Sequence, residues 1–306
     1  MTSALPTTNE RMAPDWELDY YSRPIVEADG KKRWELLICS TQTPTIPTEL
    51  TSLGPGTSFR WARSCPASNV NSLWLREALE AALVDANEQG YGKPRRLRCW
   101  RGSMRAMVQR AVESLGMELV PSRRCYGLVD WLRERDSNVY VHEPGYLAGP
   151  LAPPPQPIPP VPVPLPETLR GDSWNWASLP LASLDQAVGW DIDFPGLIVL
   201  PSGTPADAWV PGIRLFSRHR GLAIAGWLSG LEPVRLEICG RQLVLEAGME
   251  DRWLLATLPE QEAQAASEAL SKARVEAGGI QFIAVQSSEE ASRFEGFWIL
   301  RDLPDG

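Results

Sequence analysis

Between Gly149 and Pro166 the chain carries ten prolines, at positions 150, 153, 154, 155, 157, 159, 160, 162, 164 and 166. Each fixes φ near about −65° and removes an amide donor, so neither a helix nor a central strand can run through the segment. The 306 residues therefore divide into two units of about 130–150 residues, each long enough for a core of its own. The pattern predicts a disordered tail over 1–14, an N-terminal α/β domain over 15–146, a proline-rich linker over 147–168 and a C-terminal α+β domain over 169–306. A polyproline II spacer of this kind would hold the two domains apart. Its rival role, a ligand for an SH3-type domain, has no other signalling feature beside it.

Upstream of the prolines, strands are expected at 16–22, 33–40 and 58–64, the first two joined as a hairpin through Asp29-Gly30. Helix Asn71–Ala86 follows, with Leu73, Trp74, Leu75, Ala78, Leu79, Ala82 and Leu83 at helical spacing behind an Asn/Ser start. Strand Arg95–Trp100, helix Ser103–Leu115, strand Met117–Pro121 and helix Tyr126–Arg135 complete a β-β-β-α-β-α-β-α order. That order predicts mixed sheets flanked by helices, with the first domain ribonuclease H-like in element order, an analogy of fold and not of activity. In the second domain, strands are expected at Leu222–Trp227, Val234–Ile238, Gln242–Ala247 and Arg252–Leu258. Helix Pro259–Ala277 stops at Gly278-Gly279, and strand Ile280–Gln286, a short helix from Ser287 and strand Phe294–Leu300 close the chain. The similar element order suggests a structural duplication.

Composition narrows the chemistry. No apolar run reaches the ~20 residues of a membrane helix, and Met1–Pro14 lacks the apolar stretch of a secretion signal. A cytoplasmic protein without membrane insertion is expected. Cys39, Cys65, Cys99, Cys125 and Cys239 are widely spaced, and His142 and His219 are the two histidines. Reduced, buried thiols fit better than a disulfide framework, a zinc site or a Cys–His nucleophile. No glycine-rich phosphate loop or nucleophile elbow is present, so no cofactor is expected.

Asp19, mid-strand in the hairpin, is the candidate acid of a two-metal nuclease, with Glu77 or Glu80 and Asp130 as partners. The fourth strand, however, ends in Cys99-Trp100-Arg101-Gly102, where an arginine would repel a divalent cation. No catalytic or metal residue is therefore assigned, and Asp19 is expected either to pair with a cation such as Arg23 or to lie on an exposed strand face.

Charge favours binding. Residues 1–146 hold 19 Lys and Arg against 18 acids, a balance of +1; the remainder holds 11 against 20, a balance of −9. Lys93–Arg135 alone carries eleven cations against four acids. Lys31, Lys32, Arg33, Lys93, Arg95, Arg96, Arg98, Arg101, Arg105, Arg123 and Arg124 are interleaved with Trp34, Trp61, Trp100 and Tyr126. Cations for phosphates beside aromatic faces for unpaired bases are the ingredients of single-stranded RNA recognition, and equally of a solvated face over an aromatic core. Trp74 and Trp131, at apolar helix positions, belong to the core.

The blocks Trp16–Pro24, Gly30–Cys39, Asn71–Arg76, Pro121–Arg124, Arg252–Ala256, Phe282–Gln286 and Gly296–Leu300 resemble the Tab-two-like RNA-binding proteins, the photosystem I translation-activator family of chloroplasts and cyanobacteria. The resemblance covers both domains. It implies binding of mRNA leader regions and activation of translation of photosystem reaction-centre subunits. The family's C-terminal Trp-Leu-Leu tripeptide, associated with RNA binding, falls on Trp298-Ile299-Leu300. On an alternating strand Trp298 and Leu300 face one way and Ile299 the other, which suits core packing as well as base stacking. The acidity of the second domain places the phosphate-binding surface on the first and leaves the second as a platform for a protein partner such as the translation machinery. A metal-dependent nuclease, or a photosystem-assembly scaffold that binds no RNA, are the alternatives.

Overall fold

The computed structural model describes residues 15–42, 44, 58–148, 160–201, 203–301 and 303. The expected tail and most of the proline run lie outside the described residues. In the first domain, β1 (Trp16–Val26) alternates: Trp16, Leu18 and Tyr20 enter one buried cluster, while Glu17, Asp19 and Arg23 turn to the other face. A strand with both faces buried needs cover on each side, and the helices supply it. β2 (Lys32–Ser40), β3 (Arg60–Cys65), β4 (Arg96–Cys99) and β5 (Glu118–Pro121) complete a sheet of order β3-β2-β1-β4-β5. The β1–β2 and β2–β3 pairs are antiparallel; β1–β4 and β4–β5 are parallel. Gly30, at φ +78°, takes the turn conformation that an L side chain rarely adopts.

Helix α1 (Ser72–Glu88) starts where the Asn71 side chain accepts from the Leu73 and Trp74 amides. With α2 (Arg105–Glu113) it covers the Trp16 face through Leu75, Leu79, Val108 and Val112. Helix α3 (Tyr126–Asn138) covers the opposite face, packing Leu128, Trp131 and Leu132 on Leu37 and Cys39. The element order is the predicted β-β-β-α-β-α-β-α. Trp131 is core; Trp74 is half-buried and stacks on Tyr20 at 5.5 Å.

The second domain pairs two sheets. One joins β10 (Pro233–Cys239), β11 (Gln242–Ala247), β12 (Asp251–Thr257) and the two-residue β6 (Val163–Pro164). The other has the order β7-β9-β13-β14-β8: β7 (Ser173–Pro180), β9 (Trp209–Phe216), β13 (Ile280–Gln286), β14 (Phe294–Arg301) and β8 (Ile192–Gly196). A short α4 (Leu181–Leu184) follows β7, α5 (Gly221–Leu231) contributes Ile224 and Leu228 to the core, and α6 (Glu260–Glu276) precedes β13.

Four expectations are corrected here. Leu222–Trp227 is not a strand but lies within α5: a short apolar run does not distinguish the two periods, and Ile224, Ala225 and Leu228 share a helical face. Residues 287–293 form turns and bends, not a helix. After its first long helix the first domain alternates β4-α2-β5-α3, whereas the second places three strands between α5 and α6 and ends on β13-β14, so the domains do not share the element order that a duplication requires. Finally, a spacer through residue 168 does not match the pairing. Val163 and Pro164 already stand opposite Trp253 and Leu254, Leu165 is buried, and the two domains touch rather than stand apart.

Trp298 on β14 stands opposite Gly196 on β8. A Cβ at Gly196 would lie 1.9 Å from Trp298 Cδ1, and one at Gly296 would lie 2.2 Å from Cη2. The indole thus fills the space above two bare backbones. Gly196→Ala is expected to cost about 1–3 kcal/mol by overpacking, read as a lowered midpoint in urea; an unchanged midpoint would refute this packing.

Candidate nucleic-acid interface and the domain junction

The polar face of β1 is an ion network, not a metal site. Asp19, fully buried, accepts from Arg23 Nη1 at 2.7 Å and Trp100 Nε1 at 3.1 Å, and pairs with Arg101. Burial alone would push its carboxyl up, but Arg23 and Arg101 hold it below the ordinary value. The pairing with Arg23 is the one expected. Glu77 and Glu80 are exposed on α1, across the opposite face of the sheet, and Asp130 is bound by Arg301. The carboxylates of the nuclease alternative are not brought together. Among the described residues no group of three or more His, Cys, Asp or Glu could hold a metal ion. The five cysteines are unpaired; burial pushes the Cys99 thiol up to about 12 and the Cys39 and Cys125 thiols up as well.

Four of the arginines expected to meet phosphate are committed to protein partners. Arg101 is buried against Asp19, its guanidinium 4.1 Å from the Tyr21 ring centre. The other three cross to the second domain. Arg98 Nε and Nη2 donate to the two Glu232 oxygens at 2.7 and 2.9 Å, and Ser122 Oγ donates to the same carboxylate at 2.9 Å. Arg123 Nη1 donates to Glu246 at 2.9 Å. Arg124 donates to the carbonyls of Pro233, Ile299 and Gly196 at 2.5, 3.1 and 3.0 Å. In return Arg301 of β14 reaches Asp130 of α3 at 2.6 and 2.7 Å. Glu232 ends α5 at φ 58°, the left-handed position more usual for glycine. Burial would raise its carboxyl, but the Arg98 hydrogen bonds and charge hold it down to about 2. All these partners lie more than 70 residues away in sequence, so nothing local marks the arginines as a docking face.

The remaining cations form two groups. Lys31 and Lys32 are exposed at the hairpin end, where Arg33 is tied to Glu27 and Glu143. Lys93, Arg95 and Arg96 lie at the start of β4. Lys93 Nζ donates to the Leu115 carbonyl at 2.6 Å, the Arg95 side chain is 70% exposed and 3.9 Å from Glu118, and Arg96 grips Asp15 at 3.2 and 2.7 Å. Arg105 is exposed on α2. Lys32 stands opposite Val26 while Leu97 stands opposite Trp16, so the two groups sit at opposite ends of β1, roughly 33 Å apart at about 3.3 Å per residue. Trp298, Ile299 and Leu300 are all buried: Trp298 and Leu300 lie in the core shared by the two sheets, Ile299 on the other face. The alternation is as expected, and it leaves no stacking face on the surface.

Sequence reading misses one feature. Where the domains meet, a cleft of about 440 Å³ opens between the start of β1 and β4, the first turn of α3 and the segment after β8. Glu17 lines it, fully buried, accepting from the Leu128 amide at 2.8 Å. Burial pushes its carboxyl up to about 7, against the opposing pull of Leu128 and Arg98. The residues of the opposite wall, 195–201, carry no motif, so only the folded chain reveals the pair of walls.

A two-domain α/β protein, its halves joined by arginine contacts and with exposed cations clustered at two ends of the first sheet, is thus the class defined by fold and site. Residues 15–135 match the family described as RNA-binding protein Tab2/Atab2 N terminal, and residues 152–301 match RNA-binding protein Tab2/Atab2, C-terminal domain. The chain is similar to Protein TAB2 homolog, chloroplastic, of Zea mays, with 33% identity covering 98% of this chain and 74% of the relative. It is also similar to the protein of the same name in Arabidopsis thaliana, with 29% identity covering 98% and 77%. The chain belongs to the Tab2/Atab2 family of RNA-binding proteins.

Arg98→Ala would strand the Glu232 carboxylate at the junction and is expected to cost about 3–5 kcal/mol, checked by urea denaturation. A double-mutant cycle with Glu232→Gln should show coupling; additive losses would refute the clamp. Glu17 predicts a pH dependence of opposite sign to that of Glu232. Its folded value near 7 lies above the ordinary 4.5, so the native state holds a proton that the unfolded chain has lost. Stability falls as pH rises from 4.5 through 7, by on the order of 3 kcal/mol. Glu17→Gln should remove that decline from a series of thermal melts, and an unaltered profile would refute the assignment. Glu232, held low, contributes stability above its ordinary value that is lost as pH falls toward 2.

Proposed function

We propose that the chain binds single-stranded mRNA leader regions and activates translation of photosystem reaction-centre messages, acting by binding rather than catalysis, without a cofactor, in the cytoplasm of a cyanobacterium. The match of both halves to an RNA-binding family, in order and over nearly the whole chain, carries this reading. Among the described residues no helix is long and apolar enough to cross a membrane. The phosphate contacts fall to candidate cations left open to solvent, Lys31, Lys32, Lys93, Arg95 and Arg105, with Arg96 behind them. Arg98, Arg101, Arg123 and Arg124 support binding indirectly, by fixing the fold and the junction. The tripeptide Trp298-Ile299-Leu300 acts in the same way, through the core. The acidic second domain offers a surface to a protein partner, the translation machinery being the partner that suits an activator.

Salt-dependent binding of a leader RNA tests the proposal. Binding that persists in EDTA with the RNA intact is expected; Mg²⁺-dependent cleavage, or no affinity even at low salt, would overturn it. Lys93→Ala/Arg95→Ala should weaken binding across sequences and flatten the slope of log K against log salt by about 0.7 for each phosphate no longer neutralised. An unchanged slope would remove these two residues from the RNA-binding surface.

A further inference from the structure

The interdomain cleft has two unlike walls. The segment following β8 presents Leu197, Val199 and Leu200, and Val199 remains 44% exposed, an apolar side chain left open at the cleft. The same lining includes polar groups of both domains: Thr41 and Gln42 beyond β2, Ser229 from α5 and Arg96 at the start of β4. Ser229 stands in the last turns of α5, and Gln42 Nε2 donates to Ser58 Oγ at 3.2 Å, a contact that leaves its second amide proton and its Oε1 for a ligand. Arg96, although paired with Asp15, keeps 34% of its side chain exposed.

Charge limits the ligand. The lining holds four arginines, Arg96, Arg98, Arg124 and Arg301, and four acids, Asp15, Glu17, Asp130 and Glu232. Three of the arginines have their guanidinium groups spent on the junction, so the cleft has no cationic surplus for a di- or triphosphate. The acids are bound to arginines or buried, so it has no free carboxylate set for a metal ion. A flat, mostly uncharged ring suits a lining of apolar side chains with side-chain amide and hydroxyl groups, and one phosphate suits an arginine about one-third exposed. The volume of about 440 Å³ is that of a single small ligand; pockets for such ligands start near about 300 Å³. Lys93 and Arg95 immediately precede Arg96 and are exposed, where flanking phosphates of a longer strand would pass.

We propose that the cleft takes one unpaired nucleotide, its base between the 197–200 segment and the polar wall, its phosphate at Arg96. It rests on the RNA-binding reading above and locates base recognition at the domain junction. The same chemistry could come from a residue of a bound RNA or from a free mononucleotide.

The test uses the full chain. Val199→Trp fills the cleft from an exposed position and should weaken leader-RNA binding at least tenfold in fluorescence anisotropy. The salt slope should not change, because every phosphate-binding cation is retained, and the thermal melt should be that of the wild type. Wild-type affinity in a folded Val199→Trp chain would overturn the proposal. Should that variant not fold, 4-thiouridine-containing RNA crosslinked to the wild type provides the second measurement: crosslinks within 195–201 or at 41–42 support the cleft, and crosslinks confined to other surfaces overturn it. Competition by millimolar AMP, CMP, GMP or UMP identifies free nucleotide as a ligand, whereas crosslinking without competition identifies the RNA residue. A wild-type chain that binds no RNA at low salt overturns the RNA-binding reading itself, whereas RNA binding indifferent to the cleft overturns only this one.

Discussion

The ion pair between Arg98 and Glu232 decides how the two halves of this protein meet. Arg98 projects from β4, between the central β1 and the edge strand β5 of the first sheet, and Glu232 terminates α5, which packs on β13 and β14 of the second domain. Ser122, just past β5, holds the same carboxylate. One side chain therefore ties two neighbouring strands of one domain to the helix that lies on the core sheet of the other. Glu232 takes a left-handed backbone to do so, a conformation that costs a non-glycine residue on the order of 1–2 kcal/mol. Burying both charges adds a desolvation cost, so the pair's chief contribution is orientation and not net stability. Without it Arg98 would keep Asp15 alone as counterion, and the buried Glu232 carboxylate would lose the two guanidinium hydrogen bonds that hold it.

The asymmetry of charge between the halves takes its first meaning from this junction. The first domain has its cationic excess in Lys93–Arg135, and the second domain is strongly acidic. The contacts show where much of that difference goes: Arg98 to Glu232, Arg123 to Glu246, and Arg124 to three carbonyls. An acidic partner for RNA would ordinarily repel the phosphate backbone. Here carboxylates near the junction are neutralised by arginines, and the field of the first domain beyond the junction rests on a smaller set of exposed cations.

The first domain was largely legible in its sequence because its elements obey local rules. Proline punctuation, the Asn71 cap, the helical spacing of Leu75 to Ala82 and the Asp29-Gly30 turn between two strand-forming runs each depend on neighbours in the chain. The second domain was less so. The run Leu222–Trp227 is apolar throughout, which hides its period, and β7 carries Trp174 and Trp176 on an edge strand with no alternation of charge to mark it. The candidate site was least legible of all. Basic residues adjacent in sequence read as one patch, yet Lys31 and Lys93 stand at opposite ends of β1, and the partners that remove Arg98, Arg123 and Arg124 from solvent lie at least 72 residues away. Residue type can be read from a sequence; the availability of its charge is a property of the fold.

Glu17 shows how the same logic extends from the junction to the interior. A carboxylate at the start of a central strand has no counterion of its own, since Arg98 is already engaged by Glu232 and Asp15. It accepts instead from neutral donors, the Leu128 amide in the first turn of α3 at 2.8 Å and the Cys39 thiol at 3.9 Å. Accepting from Leu128 fixes the helix start, and the residues just before and within that turn, Arg124 and Tyr126, reach across to Ile299 and Arg301 of β14. The strand that begins the first domain is thus joined through one buried acid to the strand that ends the second. Since the bond persists when the acid is neutral, the helix start is held on either side of the titration. What changes with pH at Glu17 is the cost of a buried charge beside the space between the domains, so this end of β1 ties the junction to the protonation of one acid.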